Sequence, residues 1–500
     1  MKRLFILSAA LFVSLMSFGQ DVSDVYRYSN IIYSGTARFS GMAGSFGALG
    51  GDFSAVSVNP AGLGVYRTND FSFTPSFNIN KNNSSYQAFS KNDNTFNLGV
   101  SNVGLVMTFI NPARSESSGV VSFNFGFGYN KLRDFNSSAN TSGFDKSSIS
   151  DVFLGETNIV PFGDRDKLNR ENNPFGYYNN SNFWGLILAW NTFVVDADAV
   201  GYITHLAPTD FVIQNRLVTT SGSQGEYAFS FAGNVAEKLY FGGTLGIQDI
   251  YYKNITDYSE TAASGNKGEF QDLNYSKTFE TFGSGFNLKL GLIYKPIHNL
   301  RIGASFHTPT SFSLRDKYYS SMVSHVYDGD TLKRYSMNSP HGEYDYDMVT
   351  PYRFVTSIGY VLLDKIALNA DYEYVDYTVM RLRNGGDEGY NFKDQNDQIS
   401  TMVESCSNYR FGAEYHEGIF FLRGGYAFYG SPYKSKFINS NSNTQVFAGG
   451  IGFRTGTFYT DFTYSQIRSV QESFLYNGSS GLVKDKNTQT QFIMTLGYKF

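Results

Sequence analysis

The chain has 500 residues, with 40 basic and 44 acidic side chains, so its formal net charge is −4 at neutral pH. This mild acidity gives no electrostatic reason to expect a nucleic-acid partner. Charged residues make up 17% of the chain, below the roughly 25% of ordinary soluble domains, and the single cysteine, Cys406, cannot form an internal disulfide.

The N-terminus has the pattern of a secretory signal peptide. Lys2 and Arg3 precede an apolar run from Leu4 to Leu15, and Gly19 is a small residue suited to a cleavage site. We therefore expect residues 1–19 to be removed during export.

The next segment is rich in glycine and lacks the alternation of a strand. Glycines stand at positions 41, 44, 47 and 50, a spacing that favours close backbone packing and that no β-α-β context turns into a phosphate-binding loop. The sequence predicts a compact N-terminal unit over residues 20–68.

From residue 69 onwards, apolar and polar residues alternate in one run after another. A clear case begins at Phe286, and the alternate apolar positions are Phe286, Leu288, Leu290, Leu292 and Tyr294. The chain ends in the same way, with Phe492, Met494, Leu496, Tyr498 and Phe500. This period belongs to a strand that faces lipid on one side and a polar interior on the other.

The connections between these runs alternate between tight turns and long polar loops, as in outer-membrane barrels. Counting back from Phe500 gives about fourteen strands, an even number. Outside the signal peptide, no apolar run reaches the roughly 20 residues that a helical span requires. We therefore expect an all-β fold, a transmembrane antiparallel β-barrel over residues 69–500, in the outer membrane of a Gram-negative bacterium.

The longest predicted connection, residues 134–223, contains an apolar stretch with both tryptophans of the chain. Its candidate ligand-capture residues are Trp184, Leu188, Trp190 and Phe193. One interpretation is an external groove that captures an apolar ligand. The other is an extra strand or a helix that packs the loop onto the rim of the barrel.

Charged residues of both signs fall on the predicted inward face of the strands. The candidate lumen network consists of Arg301, Asp371, Glu373, Arg410, Glu414 and Arg423. These groups either pair with one another and stiffen the wall or act directly in transport. Gly291, Gly303, Gly412 and Gly425 lie on the same face, so we expect them to leave room for a unit packed inside the lumen.

Asn59, Pro60, Ala61 and Gly62, followed by Leu63 and Gly64, resemble the N-terminal hatch of the FadL-type outer-membrane transporters of long-chain fatty acids and other hydrophobic compounds. The resemblance covers most of the mature chain and implies a hatch, or plug, over residues 20–68 that moves when a ligand arrives. It also implies that the cargo leaves sideways through a gap beside a kinked strand. Gly126 and Gly128 in the third predicted strand would permit such a kink.

The expected function is passive transport of hydrophobic small molecules, above all long-chain fatty acids, by a monomeric barrel surrounded by outer-membrane lipid. We expect no enzymatic activity, since no arrangement of residues suggests a catalytic triad, and neither a cofactor nor a metal. Two alternatives remain open. Chains of this kind are sometimes labelled haemin receptors, and one histidine can ligate haem iron; a barrel that only displays loops would instead be structural or adhesive.

Overall fold

The structure is a computed structural model that describes residues 22–112, 119–178, 180–386 and 391–500. The predicted signal peptide, residues 1–19, lies outside the described residues. Among the helices of the described residues, none is long and apolar enough to cross a membrane.

The described chain consists mainly of strands, with short helices in the N-terminal segment and in the loops. The strands are β1 Asp70–Tyr86, β2 Phe89–Ile110, β3 Val120–Asp134, β4 Ser137–Asp145, β5 Asp196–Ala197, β6 Tyr202–Ile203, β7 Val212–Val235, β8 Leu239–Ala262, β9 Phe270–Ile297, β10 Leu300–His307, β11 Ser311–Asp328, β12 Thr331–Asn338, β13 Gly342–Val349, β14 Arg353–Leu362, β15 Ile366–Asp376, β16 Arg381–Asn384, β17 Ser405–Glu417, β18 Phe420–Tyr429, β19 Thr444–Thr455, β20 Phe458–Phe474 and β21 Leu482–Lys499. The α-helices are α1 Val22–Ser29, α2 Ala37–Gly41, α3 Ile149–Glu156, α4 Pro174–Tyr177, α5 Trp184–Asn191 and α6 Lys393–Met402. Short 3₁₀ helices cover Phe53–Ser57, Pro60–Val65, Thr157–Ile159, Phe162–Leu168, Arg170–Asn172, Ser181–Phe183 and Tyr377–Val379.

The strands form a closed antiparallel barrel of fourteen wall strands. β1 closes it, because Asp70 pairs with Val106 of β2 on one side and with Lys499 of β21 on the other. Several wall strands are interrupted along their length, so that β10 and β11, β14 and β13, and β15 and β16 succeed one another between the same neighbours. The predicted all-β fold class and the predicted number of strands are confirmed.

Alternation along each strand separates the two faces of the wall. On β21, Phe492, Leu496 and Tyr498 are between 40% and 47% exposed, whereas Thr495 between them is fully buried. The same rule applies around the barrel, and the outward apolar side chains form a continuous band. Such a band suits the hydrocarbon layer of a membrane, and the polar inward face suits a lumen.

One connection is shorter than the sequence predicted. The loop expected over residues 134–223 ends where β7 begins at Val212, because residues from Val212 onwards pair with both β4 and β8. Between β4 and β7 lie helices α3, α4 and α5 and the small β5–β6 hairpin. This connection is a folded cap on the end of the barrel that carries the long loops, which is the extracellular end in barrels of this kind.

Candidate functional site

The N-terminal segment, residues 22–67, lies inside the barrel and contacts the inward face of the wall. Nearly all of its side chains are buried, including Phe39, Phe46 and Leu63, which are fully shielded from solvent. Its amide groups bond to the wall: the backbone N–H of Ala37 donates to Thr495 Oγ1 at 2.7 Å. The segment therefore occupies the space that the inward glycines were expected to leave.

Asn59 organises the part of the segment that resembles a hatch. Its side chain accepts a hydrogen bond from the N–H of Ala61 at 3.1 Å and caps the short helix that starts at Pro60. Its Nδ2 atom donates to the carbonyl oxygens of Gly47 at 2.7 Å and of Leu292 at 3.2 Å. One buried side chain thus joins two turns of the segment to strand β9.

Three glycines in the wall make room for this part of the N-terminal segment. A Cβ atom at Gly291 would lie 2.0 Å from Asn59 Oδ1, one at Gly303 would lie 2.4 Å from the Gly47 carbonyl oxygen, and one at Gly242 would lie 2.6 Å from the Pro60 carbonyl oxygen. Real Cβ atoms do not approach other atoms so closely. The wall and the segment therefore fit together only because these three positions carry no side chain.

Two groups of buried charged side chains on another part of the wall, strands β14 to β20, also bind the segment. In the first, Glu414 accepts two hydrogen bonds of 2.8 Å from Arg38 of the segment and one of 2.6 Å from Arg423. Arg423 also pairs with Asp461 at 2.6 Å. This chain of alternating charges compensates the burial of each member, which would otherwise be costly.

In the second group, Asp371 accepts hydrogen bonds of 3.2 Å from the backbone N–H groups of Phe46 and Gly47. Arg410 bridges Asp371 and Glu373, and Glu373 also pairs with Arg353 at 2.6 Å. Separately, Arg301 donates to the Leu49 carbonyl oxygen at 2.5 Å. All six lumen residues singled out in the sequence thus face inward, and four of them bind the segment directly, namely Arg301, Asp371 and Glu414 together with Arg410 through the Tyr33 ring.

The wall itself is interrupted between β2 and β3. β2 pairs with β1 from Phe89 to Val106, but its ladder with β3 covers only Asn102 to Ile110. Beyond Lys131, β3 changes register and β4 continues the pairing with β7 instead. In the described part of the chain, the half of β2 from Phe89 to Ser101 therefore has no ladder partner on this side.

Side chains, rather than a backbone ladder, bridge this wall break. Asn97 Nδ2 donates to Asp134 Oδ2 at 2.9 Å, and Lys91 Nζ donates to Asn140 Oδ1 at 3.0 Å. The Lys131 ammonium group lies over Gly99, 2.5 Å from the place of a Cβ atom there. Outside the break, Phe96 and Leu98 are 78% and 80% exposed. Polar side-chain contacts therefore close the wall break, and the outer surface beside it is apolar.

A cavity of about 520 Å³ lies in the lumen behind the wall break. The stretch from Lys131 to Ala139 lines it, together with polar side chains of β1, β7, β20 and β21 and with Arg27 and Asn30 of the N-terminal segment. Arg133 donates to the Asn30 carbonyl oxygen at 2.9 Å, and it forms no ion pair among the described residues. The cavity is thus bordered by the N-terminal segment, by the β3 side of the wall break and by Arg133, which has no carboxylate partner among the described residues.

The candidate capture residues lie in the extracellular cap. Trp184 and Leu188 on α5 are 5% and 0% exposed and pack in the apolar core of the cap. Trp190 is partly buried and donates from Nε1 to Asn169 Oδ1 at 2.7 Å. Phe193 is 38% exposed, and its ring is tilted by 40° against the Tyr335 ring, with centroids 4.4 Å apart. The structure brings the first two together inside the cap, and of the four only Phe193 presents a largely exposed ring.

Histidines that could serve a haem group have other contacts. His307 is buried, and its Nε2 lies 2.9 Å from the Val58 carbonyl oxygen. The His416 ring stacks on Phe421, with centroids 5.3 Å apart. Among the described residues, no group of three histidine, cysteine or acidic side chains is arranged to hold a metal ion.

We expect the cap to loosen as the pH rises, because His205 holds two of its connections together. His205 lies 3.3 Å from Asp196 and 2.9 Å from Glu269, and the hydrogen bond to Asp196 raises the pKa of the histidine. The ion pair is fully present below the ordinary histidine pKa of about 6.5 and is lost as the pH rises through the higher pKa of the folded protein. The hydrogen-exchange protection factors of residues 196–206, which are corrected for the intrinsic pH dependence of exchange, should therefore be higher near pH 6 than near pH 9, and His205→Gln should abolish the difference. Equal protection factors at both pH values would contradict this role.

No protein-family model and no curated protein matches the chain. Among solved structures, a Pseudomonas aeruginosa FadL homologue matches with a TM-score of 0.55 at 11% sequence identity, covering 94% of this chain and 99% of the homologue. The P. putida toluene transporter TodX matches with a TM-score of 0.50 at 13% identity, again over 94% of this chain and 99% of that protein. The likeness runs through nearly the whole length of all three chains, so this protein has the fold of the FadL homologue, a fourteen-stranded outer-membrane β-barrel.

Proposed function

We propose that this barrel transports hydrophobic small molecules passively across the outer membrane and releases them sideways through the wall break. The observation that carries the proposal is that the lumen cavity is lined by Lys131 to Asp134, the end of β3 that borders the break between β2 and β3. The FadL homologue and the toluene transporter that share the fold support the same class of cargo.

The N-terminal segment acts as a hatch that closes the route along the barrel axis. It fills the lumen between the extracellular half, where α1 contacts Tyr252, and the periplasmic end, where Arg67 pairs with Glu237 at 2.6 Å. For a cargo molecule in the cavity, the route along the barrel axis is therefore blocked by the N-terminal segment, whereas the lateral route is closed only by the side-chain hydrogen bonds of the wall break. Breaking a few side-chain hydrogen bonds costs less than removing the buried segment.

Long-chain fatty acids fit this route better than a plain hydrocarbon does. The cavity is lined mostly by amide, hydroxyl and charged groups, and Arg133 offers a guanidinium group to a carboxylate. An acyl chain can extend from there through the break towards Phe96 and Leu98 on the outer surface. Each methylene group that leaves water contributes about 0.8 kcal/mol, which pulls the chain into the membrane.

In this proposal the extracellular cap receives the ligand. Phe193 offers an exposed ring, and Trp184, Leu188 and Trp190 form the core that holds this part of the cap in place. A ligand that reaches the cavity from outside passes this cap, which lies at the extracellular end of the barrel.

Closing the wall break covalently should stop transport. Cysteines at Gly99 and Lys131, in a Cys406→Ser background, would stand on the two sides of the break and could be joined by a short bifunctional maleimide. Uptake of radiolabelled oleate by cells without another uptake protein should fall about tenfold after the reagent, because the proposed lateral route is sealed. Each single-cysteine variant treated with the same reagent is the control. Full uptake by the cross-linked protein would refute the lateral route.

A further inference from the structure

One side of the extracellular rim carries positive charges that have almost no acidic partners. These residues, the rim patch, are Lys81 on β1, Arg468 on β20, and Lys484 and Lys486 on β21, and all four are exposed. They point outwards, because their strand neighbours Asn82, Ser469 and Asp485 line the lumen cavity. The chain as a whole is acidic, with a net charge of −4, so this local excess of positive charge is not a consequence of composition.

The register of the strands brings these side chains together. Thr488 of β21 pairs with Lys81 on one side and with Arg468 on the other. Lys81 and Arg468 are therefore two strands apart, about 10 Å in a β-sheet. Lys486 and Lys484 follow on the strand between them, two and four residues further along. The four cations thus form one compact patch.

On the opposite part of the rim, the positive charges are paired with acidic side chains. There Lys253 pairs with Glu280 at 2.7 Å, Lys317 with Glu343 at 3.1 Å, and Arg315 with Asp345 at 2.5 Å. Within the part of the chain that the structure describes, one residue of the rim patch faces an acid, namely Lys484, which lies 3.8 Å from Glu472. Lys81 and Lys486 form no ion pair among the described residues.

The position of the rim patch relative to the apolar band indicates what kind of partner it binds. On β20 the outward residue Tyr464 still belongs to the apolar band, and Arg468 follows four residues later. On β1, Lys81 stands two residues beyond the half-buried Ile79. The patch therefore begins where the hydrocarbon layer ends and the lipid head groups lie. Basic side chains at this depth attract anionic lipid, and arginine and lysine are good phosphate ligands.

We propose that the rim patch binds the phosphate groups of a membrane lipid in the outer leaflet. The patch covers β20, β21 and β1, immediately beside the unpaired half of β2. A lipid held there would flank the wall break on its β2 side. This inference concerns the outer surface of the barrel and does not depend on what the lumen transports.

Native mass spectrometry of the detergent-solubilised protein with lipid A that carries two phosphates tests the proposal. The variant Lys81→Gln/Lys484→Gln/Lys486→Gln should raise the apparent dissociation constant about tenfold or more. The variant Lys253→Gln/Arg315→Gln/Lys317→Gln removes the same charge from the opposite rim and should bind like the wild type. Both variants should keep the wild-type heat-dependent shift in gel mobility, which reports a folded barrel.

Lipid A from which the phosphates have been removed should bind the wild-type protein as weakly as the rim-patch variant binds the intact lipid. Inorganic phosphate at the same concentration should not displace the lipid. Unchanged affinity of the rim-patch variant, an equal loss in the opposite-rim variant, equal binding of the dephosphorylated lipid, or displacement by inorganic phosphate would each overturn the proposal.

Discussion

Replacing Gly242 by valine should convert the closed barrel into an open pore. The new Cβ atom would lie 2.6 Å from the Pro60 carbonyl oxygen and 2.8 Å from the Ala61 nitrogen, and these are backbone atoms that cannot rotate away. The helix that starts at Pro60 must therefore move away from strand β8. Conductance in planar bilayers should rise about tenfold or more, because a wide barrel without its plug encloses an aqueous channel.

Gly243 provides a matched control for this experiment. It is the next residue on β8 but faces outwards, and a Cβ atom there would meet nothing closer than Leu290 Cδ2 at 3.6 Å. Gly243→Val adds the same side chain to the same strand, so we expect wild-type conductance. If both variants stay closed, or if both open, the N-terminal segment does not act as the hatch.

Replacing Glu373 by alanine should strongly destabilise the protein. Glu373 is fully buried between Arg353 and Arg410, and its loss leaves two guanidinium groups with one carboxylate, Asp371, at 3.4 Å from Arg410. Breaking a buried ion pair by removing one partner costs about 3–5 kcal/mol. Urea unfolding in detergent, followed by gel mobility, should show a decrease of this size in the free energy of unfolding.

Glu343 is the matching acid outside the lumen. It pairs with Lys317 at 3.1 Å, but its side chain is 51% exposed, so Glu343→Ala should cost about 1 kcal/mol or less. Glu373→Gln keeps the shape of the side chain and some of its hydrogen bonds, so its effect should lie between the two. Equal stability of all three variants would show that the buried charges do not hold the lumen together.

The barrel could be predicted from the sequence because each strand within the membrane has two different environments. Residues Phe286 to Tyr294 alternate strictly, since lipid lies on one side and the polar lumen on the other. The end of the longest loop could not be predicted in the same way. The first residues of β7, such as Gln214, Asn215 and Arg216, lie outside the apolar band and are polar on both faces, so no alternation marks them as a strand.

The inward charges of the site were also predictable, whereas their partner in the N-terminal segment was not. Arg410 and Glu414 are charged residues at inward positions of a regular strand. Arg38 binds Glu414 but lies in a segment without periodicity, so nothing in its neighbourhood shows which strand it faces. Only its charge, complementary to that of an inward glutamate, could have pointed to it.

Gly126 and Gly128, which would permit a kink, lie in a regular part of the ladder between β3 and β7. The register of this ladder shifts between Val120 and Ser122 and between Lys131 and Arg133. A Cβ atom at Gly128 would lie 2.1 Å from the Val103 carbonyl oxygen, and one at Gly126 would lie 3.1 Å from Leu63. These glycines allow a neighbouring strand and the N-terminal segment to approach closely, and the same residue type would also have suited a bend.

Thr495 stands at the closing seam of the barrel. Its hydroxyl group lies 2.8 Å from Thr74 Oγ1 on the first strand and accepts the N–H of Ala37 from the enclosed segment at 2.7 Å. The segment is synthesised before any part of the wall, yet it ends up surrounded by all of it. One hydroxyl group thus contacts both the first strand of the wall and the enclosed segment, so closure of the barrel and packing of the segment are coupled at this residue.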